Sequence, residues 1–282
     1  MTDLKLKNGL EIPAIGFGTY KAAENENAEI ISKAIEAGYR YFDTASFYGT
    51  EKFIAEAIKK SGIRREDFFI ASKLWKTEMG AEKAREAFDR ILENLDTDYV
   101  DLLMIHWPRP DLTQKDWKDL DLETWRTMEE FYGQGKVRAL GLSNFLPYHA
   151  ENIIKNSKIF PAAAQLEFHP GHTQTFALNY YRAKKILLQA WSPIGRGRVL
   201  NDELIVELAE KYHVTAAQIC LRFCVQEGVM PLPKASSIER MRENLAVLNF
   251  EISSEDISRI ENMPPLGWGG EHPDRKRTEI HA

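Results

Sequence analysis

FFIASKLWKTEMGAEKAREAFDRILENLDTDYVDLLMIHWP, residues 68–108, holds two apolar runs with a helical stretch between them. The runs are FFIASKLW (68–75) and VDLLMIHWP (100–108), and AEKAREAFDRILENL (81–95) carries the 3.6-residue period of a helix. Strands alternating with helices predict a parallel sheet. Near-continuous apolar strands indicate that its outer face is covered. One side chain in each run does not fit a purely structural strand: Lys73 is the single charge in FFIASKLW, and His106 the single ionisable group in LLMIHWP.

The same rhythm extends in both directions. Further apolar runs are AIGFGT (14–19), YRYFDT (39–44), VRALGLSNF (137–145), AAAQLEF (162–168), ILLQAWSPI (186–194) and VMPLPKA (229–235). Helical stretches such as AEIISKAIEAG (28–38) and SSIERMRENLAVL (236–248) lie between them. Eight such units in about 250 residues predict an α/β chain folded as a (β/α)8 TIM barrel. At the N-terminus Leu4 and Leu6 alternate with Lys5 and Lys7 before Asn8-Gly9, which predicts a β-hairpin over about 4–13. Residues 109–121 (RPDLTQKDWKDLD) are a polar insert after the fourth strand, expected either to wall a pocket at the C-terminal face or to be a solvated loop. Residues 263–282 are expected as a C-terminal tail near the active-site face. No linker divides the chain, so a single domain over 1–282 is expected.

Composition excludes several function classes. Apolar residues at 44% and charged residues at 28% suit a globular chain with a sizeable core. The net charge of −5 argues against nucleic acid or an anionic membrane as partner. Any functional positive charge must therefore be concentrated in a local pocket. Cys220 and Cys224, four apart, would share one face of a helix and are read as core, with no disulfide and no metal site. The chain opens on no leader, and no apolar run approaches the roughly 18 residues of a membrane span, so a cytoplasmic location is expected.

Barrels carry functional side chains at the C-terminal ends of their strands and in the loops that follow. Those positions hold Asp43 and Tyr48, Lys73, His106, Ser143 and Asn144, Gln165 and Glu167, Trp191 and Ser192, and Lys234. Asp43 and Lys73 come from adjacent strands and can be neighbours. Such a pair is either a structural ion pair in the barrel mouth or, with Tyr48 and His106, a proton-transfer site. A dinucleotide-binding Gly-x-Gly-x-x-Gly turn is missing, because GFGTYK (16–21) has Lys21 at the third glycine position.

GYRYFDTASFYGTE (38–51), KVRALGLSNF (136–145) and LPKASSIERMRENL (232–245) resemble, in order, the three signatures of the aldo-keto reductase family. SKLW (72–75) and IHWP (105–108) also resemble family segments, and the resemblance runs from about residue 4 to 250. Within the family it is nearest to the compact bacterial branch that includes diketogluconate reductases. It implies NADPH-dependent reduction of aldehydes or ketones, with Asp43, Tyr48, Lys73 and His106 as the catalytic group. A free tyrosine has a pKa of about 10, and an adjacent ammonium lowers it. Lys73 is expected to do this, Asp43 to hold Lys73, and His106 to bond the carbonyl oxygen.

The resemblance further implies cofactor contacts from Gly18, Thr19, Tyr20 and Asp43, from Ser143, Asn144 and Gln165, and from Trp191, Ser192, Pro193, Ile194 and Gly195. The phosphate and adenine end falls to Lys234, Ala235, Ser236, Arg240, Glu243 and Asn244. Lys234 and Arg240, with Ser236 and Ser237 and a helix start, would cradle the phosphate that separates NADPH from NADH. Trp191 stands where relatives often have Tyr. Ala235 replaces a common hydroxyl residue and Ala164 a common Asn.

A small carbonyl compound is the expected partner. Tyr20, Phe47, Trp75, Trp107 and Trp268, with Tyr48 and His106, are expected to line its pocket. Arg275, Lys276 and Arg277 would attract an acidic substrate or simply be solvated. A monomer or weak dimer is expected. Two rivals remain at this point: a non-catalytic cofactor-sensing subunit on the same barrel, and a barrel lyase or aldolase using Lys73 as a Schiff-base nucleophile.

Overall fold

The computed structural model describes residues 4–22 and 28–275. A two-stranded antiparallel hairpin, β1 (Leu4–Lys5) and β2 (Glu11–Ile12), precedes eight parallel strands. These are β3 (Phe17–Gly18), β4 (Tyr41–Asp43), β5 (Phe69–Leu74), β6 (Leu102–Ile105), β7 (Leu140–Ser143), β8 (Ala163–Glu167), β9 (Leu187–Trp191) and β10 (Val229–Pro231). Each pairs with its neighbour in sequence, so the sheet runs β3 to β10 without a crossover. The ends of the sheet meet: Gly16 N donates to Pro231 O at 3.1 Å and Gly18 N to Pro233 O at 3.0 Å. At Gly18 the last strand comes so close that a Cβ would stand 2.9 Å from Leu232 O. The eight expected strands are all present and the barrel is closed.

The helices are α1 (Glu29–Ala37), α2 (Glu51–Ser61), α3 (Ala81–Leu95), α4 (Trp117–Gly133), α5 (Pro147–Asn156), α6 (Thr175–Ala183), α7 (Glu203–Tyr212), α8 (Ala216–Gln226), α9 (Ile238–Leu245) and α10 (Ser254–Glu261). Among the described residues, no helix is long and apolar enough to cross a membrane.

Side chains on a strand alternate between its two faces, and here the two faces build separate cores. Phe42, Ile70, Leu103, Ile105, Leu140 and Leu142 pack outward against buried helix residues such as Ile31, Phe88, Ile91 and Ile153. Tyr41, Phe69, Ala71, Leu102, Met104, Ala163 and Met230 pack inside the barrel, and Leu6 and Ile12 of the hairpin join them. Following each interior row toward the C-terminal end changes its chemistry. Tyr41 is succeeded by Asp43, Ala71 by Lys73, Met104 by His106 and Ala163 by Gln165. The polar site is thus the top layer of the same inward-facing rows that form the apolar core.

The opposite end of the barrel has its own polar anchor. The fully buried Asp101 accepts from Ile70 N at 2.9 Å, Arg65 Nη2 at 2.9 Å and Arg138 Nη1 at 2.8 Å. Cys220 and Cys224 are free and buried on α8, as core residues.

Two expectations need correction. The solvated-loop reading of the insert 109–121 fails, since α4 begins at Trp117 and Asp121 is fully buried, accepting from Arg109 N at 3.2 Å, while its first residues, 109–113, wall the pocket at the C-terminal face. The helix expected over 236–248 starts two residues later, where Ser237 Oγ accepts from Arg240 N at 3.4 Å and caps it, and it tightens into a 3-10 turn from Ala246.

Gly141 on β7 has no room for a side chain: a Cβ would lie 2.9 Å from both Ala163 O and Met104 Cγ. Gly141→Ala is therefore expected to destabilise the chain by about 1–3 kcal/mol. Urea unfolding would show this as a lower midpoint, and an unchanged midpoint would contradict the close packing of the interior.

Candidate active site

A cleft of ≈ 1100 Å³ opens at the C-terminal ends of the strands. Its innermost polar group is an ion pair. Lys73, fully buried at the end of β5, donates from Nζ to Asp43 Oδ2 at 2.6 Å and to Thr44 O at 2.9 Å. Asp43 Oδ1 accepts from Gln165 Nε2 at 2.8 Å. Burial pulls the Lys73 ammonium below its ordinary value, while the Asp43 carboxylate works in the opposite direction.

Tyr48 ends a short turn, residues 46–48, between β4 and α2. Backbone and side chains clamp this turn. Ser46 Oγ lies 3.1 Å from Lys73 O and 2.6 Å from Glu78 Oε2. The Thr50 hydroxyl sits 2.8 Å from those of Thr19 and Thr44. Ser72 Oγ donates to Glu51 Oε1 at 2.9 Å, so the start of α2 is tied to β5. Burial raises the Glu51 carboxyl to about 7.

Tyr48 Oη lies 3.3 Å from His106 Nε2, and the two rings meet edge-on at 5.5 Å. Lys73 Nζ is 5.0 Å from the centre of the Tyr48 ring. Burial, then the Asp43 carboxylate, holds the Tyr48 phenol well above its ordinary 10.0. This corrects the expectation that Lys73 lowers it. The ammonium spends its bonds on Asp43 and Thr44, and the carboxylate that compensates it also opposes a phenolate nearby. Burial, with Lys73 and Lys76, keeps His106 well below 6.5 and therefore neutral. His106 Nδ1 is buried without a hydrogen-bond partner.

Asn144 joins the strand ends from a left-handed backbone at φ 61°, a region that Asn tolerates. Its Nδ2 donates to His106 O at 2.9 Å, and its Oδ1 accepts from Trp191 Nε1 at 2.9 Å. The Trp191 indole is thereby oriented along the cleft, which Gly18, Tyr20, Asp43, Ser143, Asn144, Gln165, Ser192, Pro193, Ile194 and Lys234 also line.

Other expected cofactor positions are not on the cleft wall. Thr19 turns inward to bond Asp43 O at 2.9 Å, and Gly195, Ala235 and Asn244 are buried. Ser236, Arg240 and Glu243 are exposed on the segment that runs from Lys234 into α9. Ser237 spends its hydroxyl on the helix cap. Among the described residues neither Lys234 nor Arg240 takes part in an ion pair.

Of the expected substrate residues, Tyr20, Phe47, Tyr48, Trp75, His106 and Trp107 line the cleft. Phe47 stacks on Trp75 at 4.0 Å, and Trp75 meets His106 edge-on at 4.9 Å. Trp268 does not line it. The tail is tied to the end of β8 on both sides of this residue, by Leu266 N to Gly171 O at 3.0 Å and Gly269 N to Glu167 Oε1 at 2.7 Å. The tail reaches the cleft only later, through Glu271, His272, Pro273 and Arg275. Lys276 and Arg277 lie outside the described residues.

Sequence reasoning missed Lys76, Arg109, Arg196, Glu271 and His272, which also line the cleft. Arg196 pairs with Glu271 at 2.6 Å and Arg109 with Asp274 at 2.9 Å. These are contacts between loops and tail that no local period signals. Arg109 lies in the insert, and Glu271 and His272 in the tail, that the sequence reading set beside the pocket, and Lys76 lies one residue beyond SKLW at a strand end.

Comparison with known proteins matches this arrangement. The model of the Aldo/keto reductase family covers residues 14–264. A glyoxal reductase of Bacillus subtilis (strain 168) is 40% identical over 272 residues, 96% of each chain. An aldo/keto reductase from Brucella melitensis superposes with a TM-score of 0.86 at 37% identity, over 92% of this chain and 98% of that one. An aldo-keto reductase crystallised in complex with NADPH superposes with a TM-score of 0.86 at 29% identity, over 95% and 88%. With the closed barrel, the buried Asp43–Lys73 pair and the neighbouring Tyr48 and His106, these matches show that the chain belongs to the aldo/keto reductase family of oxidoreductases.

Proposed function

We propose that the protein reduces aldehydes or ketones to alcohols with NADPH, Tyr48 giving the proton to the substrate oxygen. The observation that carries this reading is the 3.3 Å contact between Tyr48 Oη and His106 Nε2 on an aromatic-walled cleft. Two groups that close can both donate to one oxygen placed between them. His106 Nδ1 is buried and unpartnered, and a bare acceptor lone pair is tolerated there better than a bare N–H. The imidazole proton is therefore assigned to Nε2, the atom facing Tyr48.

A raised phenol pKa keeps Tyr48 protonated, as a proton donor must be. An alkoxide is a stronger base than a phenolate, so transfer from Tyr48 still runs downhill. Asp43 and Thr44 O hold Lys73 in place, its Nζ 5.0 Å from the centre of the Tyr48 ring. The same hydrogen bonds make Lys73 a poor Schiff-base nucleophile, since its Nζ is fully buried and engaged by Asp43 and Thr44.

NADPH would supply the hydride to the carbonyl carbon. The residues present fit it. The Trp191 indole, oriented by Asn144, offers a flat face to a nicotinamide, and Ser143, Asn144 and Gln165 offer polar atoms around it. Lys234 and Arg240, both exposed and without ion pairs among the described residues, suit a phosphate monoester near the start of α9. The relative named a glyoxal reductase and the neighbour crystallised with NADPH support the same reading.

In Tyr48→Phe, NADPH oxidation with a panel of aldehydes and ketones should fall by about 10²–10⁴. NADPH binding should be retained, and a variant as fast as the parent would refute the assignment. Arg240→Ala should weaken NADPH by about tenfold or more while leaving NADH nearly unchanged. Equal losses for both cofactors would remove the phosphate role. Tyr48 is raised above 10.0 and His106 lowered below 6.5, so both stay neutral between those values. The profile of kcat/KM against pH should therefore show no inflection from this pair in that window. An inflection there that Tyr48→Phe abolishes would contradict a neutral pair.

A further inference from the structure

Lys76 opens the short turn 76–78 that follows Trp75 and lines the cleft. Its Nζ stands 5.3 Å from the centre of the Trp75 ring and 5.5 Å from that of the Trp107 ring. The turn that carries it is held by Glu78, whose Oε2 accepts from Trp75 N at 2.7 Å and whose Oε1 pairs with Arg90 at 3.3 Å. Among the described residues, Lys76 takes part in no ion pair.

Several other charges around the site have partners of their own. Lys73 belongs to Asp43, Arg109 to Asp274 and Arg196 to Glu271. Lys234 sits beyond the Trp191 side, at the expected phosphate end. Lys21 and Arg275 are exposed. Asp111, an acid on the cleft wall, is turned onto its own loop, where it accepts from Thr113 N at 2.6 Å. The residues lining the cleft carry six cations and three anions, on a chain whose net charge is −5. A cleft of one sign in a protein of the other concentrates oppositely charged ligands.

Two indole faces favour an ammonium between them but leave its hydrogen-bond donors unanswered. Trp75 touches both this ammonium and His106, whose ring lies 4.9 Å from its own. The positive end of the wall is therefore separated from the proposed carbonyl position by about the width of one aromatic ring. We propose that Lys76 sets substrate specificity by binding a carboxylate, so that the preferred substrates are carbonyl compounds bearing a carboxylate one ring or a short chain away from the reacting carbon. This rests on the carbonyl-reductase reading above. Trp75 and Trp107 flank the spacer, and the Lys76 ammonium donates to the carboxylate oxygens.

The test compares para-formylbenzoate with its methyl ester, which differ in the charge at the far end. With NADPH, Lys76→Met should lower the acid-to-ester ratio of kcat/KM by about tenfold or more, chiefly through the KM of the acid. Lys76→Glu should lower the acid further, and Lys76→Arg should restore it. The ester rates report in the same assay that each variant is folded and competent. If the acid is unaffected, or acid and ester fall alike, Lys76 does not read the carboxylate and the inference fails alone. If the parent reduces neither compound with NADPH, nor any other aldehyde, the reductase reading fails and takes this inference with it.

Discussion

The Asp43–Lys73 ion pair is the constraint around which the mouth of this barrel is organised. Taking two charges out of water costs several kcal/mol per ion, and the cost is offset only when their hydrogen-bonding capacity is used. Here it is used: Lys73 reaches Asp43 and Thr44 O, and Asp43 reaches Gln165. Gln165 continues to Gln189, and Gln189 donates to the hydroxyl of Tyr41 at 2.8 Å. A polar thread thus runs from the cleft into the apolar interior, each link joining residues of two different strands. Removing either charge would strand the other.

That thread exists because every strand presents alternate residues to the interior and because the sheet closes on itself. The backbone bonds from Gly16 and Gly18 to the last strand bring Gly18 and Lys234 to the same mouth as Asp43. The Tyr48 turn is not part of the sheet, and its position depends on clamps. Ser46 holds it to β5, while Thr50 ties it to Thr19 and Thr44. The 3.3 Å approach of Tyr48 to His106 is the product of those clamps and of strand register together.

Loops and tail supply the second layer of the site, through charge. Arg109 with Asp274 and Arg196 with Glu271 fasten the C-terminal segment to loops following β6 and β9. His149 adds a contact to Asp274 at 3.1 Å. These pairs neutralise cations on the cleft wall selectively. An acidic protein is thereby left with a cleft lined by more cations than anions, Lys76 on the aromatic wall and Lys234 near α9 among them.

By itself the sequence determined the eight strands, the hairpin, most helices and the convergence of Asp43, Tyr48, Lys73 and His106. Strand and helix periods are local, and a strand's C-terminal end has a known place in a barrel. It also placed Lys234 and most of the Trp191 neighbourhood on the cleft. Only the tertiary structure decided that α4 starts inside the polar insert, that Trp268 is held off the cleft, and that the Tyr48 phenol is raised rather than lowered. The last two turn on partners far apart in the chain: Glu167 and Gly269 are 102 residues apart, Tyr48 and His106 58. No period in the sequence encodes such pairings. The proton affinity of a tyrosine likewise depends on which charges already satisfy one another around it, a property of the folded mouth and not of any segment.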